Sequence, residues 1–201
     1  METISALMGR VVPVQSRSEA VSAEPVGQRA IPSVPKKFLD VRFGTSEDRG
    51  PHWRRAKAAV LKWIEDTVAG GAPKLALVGP TGTGKSHLLY CAAWNLWEEH
   101  ERFPAIFRWY EVVDDLRDLS TARQTRQRIR DAKILMLDEC RPTSGTDFDA
   151  LELAKISFAA YDNEQPVLLS CNWGSLAELM GEPAADRYTV VTIVGASARS
   201  G

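Results

Sequence analysis

Several things are scarce in this chain, and each scarcity removes a class of protein. Neither sign of charge is in excess: 25 Lys and Arg stand against 26 Asp and Glu, a formal net charge of -1. A molecule-wide polyanion-binding surface is thereby excluded, so any contact with nucleic acid must come from a local patch. Cysteine occurs three times, at Cys91, Cys140 and Cys171, an odd number with neither zinc spacing nor a disulfide pattern. That usage fits a reducing compartment, and each cysteine lies in an apolar stretch as a small core residue would. No apolar run approaches the roughly 18 residues that span a bilayer, and METISALMGRVVPVQ lacks the basic, apolar, small order of a signal peptide. The expectation is a cytoplasmic protein with no membrane partner. Internal repeats are missing as well, and 201 residues suit one sizeable domain rather than two.

What is present is ordered along the chain. Residues 1–35 are rich in Pro, Ser, Ala and Val without a helical or strand period, which predicts a disordered N-terminal head ahead of a domain over 36–201. PKKFLDVRF supplies Phe38 and Phe43 before a helix from about His52 to Ala69 that closes at Gly70-Gly71. Five short apolar runs then alternate with helical segments: LALV (75–78), IFRWY (106–110), ILML (134–137), VLLS (167–170) and TVVTIV (189–194). Such runs predict a five-stranded parallel sheet flanked by helices, an α/β fold. Helical spacing places Leu89, Ala92, Ala93 and Leu96 on one face, and Leu151, Ala154, Phe158 and Tyr161 on another, the latter helix opening with a cap at Thr146 and Asp149.

Residues 79–86 read GPTGTGKS, which fits the nucleotide-binding pattern G-x-x-x-x-G-K-[ST] between a strand and a helix. Gly79, Pro80, Thr81, Gly82, Thr83 and Gly84 form a loop whose backbone N–H groups can cradle phosphates at a helix N-terminus. Lys85 then reaches the β- and γ-phosphates of ATP, Ser86 offers its hydroxyl to Mg²⁺, and His87 completes the run. KILMLDEC ends a buried strand in two carboxylates: Asp138 can hold Mg²⁺ through its water shell, and Glu139 is placed to activate a water. The second carboxylate favours ATP hydrolysis over phosphoryl transfer to a small hydroxyl substrate. Asn172, at the end of PVLLSCNWG, can hydrogen-bond the γ-phosphate or the attacking water.

The order GPTGTGKSHLL, LMLDE, LLSCNW, ADRY and GASAR, with PKKF ahead of it, resembles the AAA+ ATPases of the DnaC helicase-loader and IstB transposition-helper group. The resemblance runs from about Pro35 to the end of the chain. It implies an AAA+ P-loop core, ATP with Mg²⁺, self-association into a ring, spiral or filament, and a replicative helicase or a transposase as partner. It further implies that Asn172 is sensor 1, Arg187 an arginine finger reaching a neighbouring subunit's nucleotide, and Arg199 the sensor 2 arginine of its own subunit. With seven residues after Val194, a minimal or absent helical lid is expected, as in that group.

LRDLSTARQTRQRIRDAK (116–133) concentrates Arg117, Arg123, Arg126, Arg128 and Arg130, with Arg123, Arg126 and Arg130 on one helical face. Two readings stand: a solvated helix surface, or a face that tracks the phosphates of single-stranded DNA. Trp94, Trp97 and Trp109 read as packing residues, and Trp173, next to Asn172, as a candidate subunit contact.

Overall fold

Short β-branched and leucine runs between longer amphipathic stretches build alternating strands and helices here. The structure, a computed structural model, describes residues 34–142, 147–172 and 174–194. Strands β1 (Lys74–Val78), β2 (Ala105–Arg108), β3 (Leu135–Cys140), β4 (Val167–Cys171) and β5 (Thr189–Thr192) form one sheet in the order β2-β3-β4-β1-β5. Every pairing is parallel. The expected α/β class and five-stranded parallel sheet are therefore what the chain adopts. Helices α1 (Pro51–Val68) and α2 (Lys85–His100) cover one face; α3 (Trp109–Arg117), α4 (Ala122–Asp131), α5 (Asp147–Asp162), α6 (Leu176–Met180) and α7 (Glu182–Ala185) cover the other. Along β1, Leu75 and Leu77 point into the α1–α2 core while Ala76 and Val78 point into the second, as the two-residue strand period requires. No helix among the described residues is long and apolar enough to cross a membrane.

Two local expectations are corrected. The run 106–110 is not wholly strand: β2 ends at Arg108, and Trp109 and Tyr110 open α3. Trp109, Val112, Val113 and Leu116 are buried at helical spacing, so packing of that stripe overrides the strand preference of the aromatics. The predicted face of α5 is not the buried one. Leu151 and Tyr161 are 53% and 54% exposed, whereas Asp149, Glu152, Leu153, Ser157 and Ala160 are buried. α5 is apolar on most sides, and two ion pairs decide which side turns inward: Arg117 Nη2 to Asp149 at 2.8 Å and Arg126 Nη2 to Glu152 at 3.2 Å. On α2 the expected residues Leu89, Ala92, Ala93 and Leu96 are buried, and Leu88, Tyr90, Cys91 and Trp94 are buried with them.

The segment ahead of α1 explains that last point. Val34, Phe38, Val41 and Phe43 pack on the α1–α2 core. Phe38 stacks on Tyr90 with ring centroids 4.3 Å apart, and its carbonyl accepts a hydrogen bond from Trp94 Nε1 at 2.8 Å. Arg42 lies over the Trp94 ring and forks onto the Glu98 carboxylate at 2.7 and 2.6 Å. All three cysteines are buried, as the sequence suggested. Residues 1–33, Thr146, Trp173, and the stretch after Val194 that carries Arg199 and the lid expectation lie outside the described residues.

Candidate functional site

At Val78 the chain leaves the sheet and turns into the glycine loop. Gly79 has φ 149°, and a Cβ there would stand 2.2 Å from the Ile193 carbonyl oxygen. That backbone contact cannot move without unpairing β5, so the position demands glycine. Gly84, at φ 95°, sets the first turn of α2; a Cβ there would approach Arg49 Nη1 at 2.9 Å and Trp53 Nε1 at 3.0 Å. Lys85 is 3% exposed. Its Nζ donates to the Pro80 carbonyl at 2.6 Å, and Thr83 Oγ1 donates to the same oxygen at 2.9 Å. Burial lowers the ammonium to about 8, against upward pulls from Cys171, Asp138 and Glu139. The loop thus holds a weakly solvated cation on a carbonyl that an anion can displace.

The acidic side is assembled by strand order. β4 comes late in the chain yet lies between β1 and β3, so it brings Ser170 and Asn172 between the loop and the carboxylates. Leu137 pairs with Leu169 and Cys140 with Cys171, leaving Asp138 and Glu139 together opposite Ser170. This is a β-bulge, and Glu139 takes the left-handed conformation at φ 61°. A non-glycine residue held there marks strain maintained by its surroundings. The surroundings are visible: the Glu139 N–H donates to Ser170 Oγ and to Asp138 Oδ1, both at 3.0 Å. Ser170 Oγ donates to Asp138 Oδ1 at 2.5 Å, and Ser86 Oγ donates to it at 2.8 Å. Burial raises the Asp138 carboxyl above its usual range, with the Ser170 and Ser86 hydrogen bonds opposing the rise. One hydroxyl and one carboxylate oxygen in contact form a donor set suited to Mg²⁺ that keeps most of its waters.

A cleft of about 270 Å³ opens between these two sides. Thr81, Gly82, Gly84, Lys85, Ser86 and His87 line it, with Glu139 and Asn172 opposite. The Asn172 backbone N–H donates to the Cys140 carbonyl at 3.1 Å, which fixes it beside the bulge. His87 is turned partly away: its Nε2 stands 2.6 Å from Ser46 Oγ. Three wall residues, Lys37, Phe38 and Arg49, escaped sequence reasoning, as did the role of Ser170. Ser170 carried a signal, being a hydroxyl inside the otherwise apolar run VLLSC; Arg49 carried none, since nothing in sequence ties it to a loop over 30 residues away.

Arg187 does not enter the cleft. It precedes β5 at the opposite, N-terminal edge of the sheet, and its guanidinium helps lower the pKa of Lys74, the first residue of β1. β1 has five residues, so that edge lies about 13 Å from the glycine loop. The arginine run also divides. α3 ends at Arg117 and α4 begins at Ala122, with Asp118 accepting from Ser120 N and Oγ in the turn between. Arg126 is tied to Glu152, while Arg123 and Arg130 are exposed.

No protein-family model matches the sequence, and no curated protein matches it. Solved structures do match in shape. The crystal structure of the DnaC helicase loader superposes with a TM-score of 0.70 at 16% identity, covering 80% of this chain and 100% of that one. DnaI gives 0.63 at 18% identity, covering 83% of this chain and 94% of that one. AMPPCP-bound DnaA from Aquifex aeolicus gives 0.62 at 20% identity, with 77% of this chain covering 50% of that one. At these identities the likeness is one of fold.

Proposed function

We propose that this chain binds ATP with Mg²⁺ in the cleft, hydrolyses it as a DnaC-like AAA+ protein, and does so in the loading of a replicative helicase. The observation that carries the reading is the single network joining Ser86, Asp138, Ser170 and the Glu139 N–H beside Lys85. In this reading the backbone from Gly79 to Gly84 cradles the phosphates, and Lys85 exchanges the Pro80 carbonyl for phosphate oxygens. Ser86 and Asp138 hold the metal, which neutralises phosphate charge when bound. Glu139, aimed by the bulge, accepts a proton from the attacking water. Asn172 orients that water or the γ-phosphate, and Arg187 and Arg199 take the roles the resemblance implies. AMPPCP in the DnaA neighbour is consistent with a triphosphate ligand. The loaders DnaC and DnaI match over nearly their whole lengths, which favours a helicase over a transposase as the machine served. In the same reading residues 36–201 are the ATPase domain and residues 1–35 a separate N-terminal head.

The position of Arg187 gives this reading its test. Remote from its own cleft, it can reach phosphate only in a neighbouring subunit, which requires a ring, spiral or filament. Such a finger is worth on the order of 10³-fold or more in turnover. Arg187→Ala protein should bind ATP normally and hydrolyse it poorly, and Lys85→Ala protein should fail to bind it. Mixed together, the two should recover turnover, because an intact Lys85 site meets an intact Arg187. If both variants assemble and no mixture recovers activity, the trans role is wrong.

Single-stranded DNA is the second proposed partner, favoured by the exposure of Arg123 and Arg130 along one side of α4. Replacing both with alanine should flatten the log–log salt dependence of binding by about 1.4, roughly 0.7 for each phosphate contact. An unchanged slope returns α4 to a solvated surface.

A further inference from the structure

The surroundings of Arg187 are unlike those of the other arginines that pack on α5. Arg117 and Arg126 each meet a buried carboxylate. Arg187 has no ion pair among the described residues, and its Nε is buried without a hydrogen-bond partner there. What holds it is aromatic. The guanidinium carbon lies 4.6 Å from the Phe158 ring centroid and 4.6 Å from that of Tyr161, one helical turn further along α5. One further tie is the hydrogen bond that Arg187 Nη1 donates to the Pro183 carbonyl. Lys74 Nζ approaches the same Tyr161 ring at 5.3 Å and donates to the Ala72 carbonyl at 3.3 Å. Two cations therefore share one ring, and Glu164 supplies the nearby negative charge that acts on Lys74.

A ring face attracts a cation without consuming its hydrogen-bond donors, because the attraction comes from the quadrupole. A carboxylate in the same place would take those donors and neutralise the charge. An arginine steadied by rings and a single carbonyl keeps its charge unpaired for an anion arriving from outside, and the like charge of Lys74 adds to its unsatisfied potential. Tyr161 is 54% exposed, so the ring face that meets Arg187 lies at the surface, where a partner's phosphate can reach the same guanidinium.

We infer that Tyr161, with Phe158 behind it, is a positioning residue for Arg187: the two rings hold the guanidinium uncommitted at the sheet edge, ready for the γ-phosphate of a neighbouring subunit. The inference rests on the trans role proposed above and goes beyond it by naming what aims the finger. It accounts for the exposed apolar side of α5 at this end.

The test is steady-state ATP hydrolysis by the assembled full chain. Tyr161→Leu should lower kcat about tenfold while KM for ATP stays within about twofold, since one of the two ring contacts is lost. Tyr161→Phe, which keeps the ring and drops the hydroxyl, should restore kcat to near the starting value. In an Arg187→Ala background, Tyr161→Leu should change nothing further. Mixing Tyr161→Leu with Lys85→Ala protein should recover turnover, as Arg187→Ala does. If Arg187→Ala costs turnover and Tyr161→Leu does not, the positioning role falls and the finger stands. If Arg187→Ala is itself without effect, the finger reading falls and takes this inference with it. A loss in Tyr161→Leu that persists undiminished in the Arg187→Ala background assigns Tyr161 to structure alone.

Discussion

The two edges of the sheet handle charge in opposite ways. At the C-terminal edge polar groups of the same chain already meet one another: Asp138 accepts from Ser86, Ser170 and the Glu139 N–H, and Lys85 sits on the Pro80 carbonyl. At the N-terminal edge Arg187 and Lys74 rest on rings and carbonyls, with no carboxylate in ion-pair contact among the described residues. The first edge is pre-organised, since its donors and acceptors already stand where a phosphate and a metal would use them. The second is unfinished in one copy of the chain. In the function proposed above, such a division between a closed half and an open half would make turnover depend on assembly.

Breaking the closed half should have the larger effect. Glu139→Gln keeps the shape of the bulge and its N–H donor but cannot take a proton, so hydrolysis should fall by about 10²- to 10⁴-fold with ATP affinity nearly unchanged. Turnover at the original rate, measured by phosphate release, would show that another group is the base. A gentler perturbation is pH. The Lys85 ammonium is lowered to about 8 by burial in the empty site, and a bound triphosphate favours its charged form and so raises it. Below pH 8 both states carry the proton and affinity should be flat. Above it, binding must take up a proton, and affinity should fall by up to tenfold per unit until the bound-state value is reached. Calorimetric titrations in buffers of different ionisation enthalpy would detect that uptake; affinity flat to pH 10 would mean that Lys85 is charged throughout.

Much of the closed half was legible before any coordinates. GPTGTGKS and LMLDE declare themselves because phosphate and metal chemistry restrict residue type and spacing together, and the sheet follows from short apolar runs. The bulge was not legible. Nothing in LMLDEC says that Asp138 and Glu139 will share one partner on β4; that comes from register, a property of two strands 32 residues apart. The inward side of α5 was misread for a related reason. Leu151, Phe158 and Tyr161 are the apolar choice, yet Asp149 and Glu152 are buried because Arg117 and Arg126 on neighbouring helices meet them. Hydropathy ranks residues singly, and a buried ion pair reverses the rank of both members at once. The wall residues Lys37 and Arg49 were hidden by the same long-range closure that lays their segment over α2.

That segment turns Cys91 into a clock. Its thiol lies under Ser46, whose Oγ is 3.6 Å from Sγ and which also meets His87 beside the cleft. Burial pushes the thiol pKa up, so the closed form reacts slowly with alkylating reagents. Cys140 and Cys171 lie on the paired strands β3 and β4, and are reached only when the sheet itself comes apart. Lifting of residues 34–50 and global unfolding would then proceed as separate labelling events on separate cysteines. Because Arg49 and Phe38 of that segment line the cleft, the alkylation rate of Cys91 becomes a stopwatch for how often that wall of the cleft swings open, readable by mass in the unmodified chain.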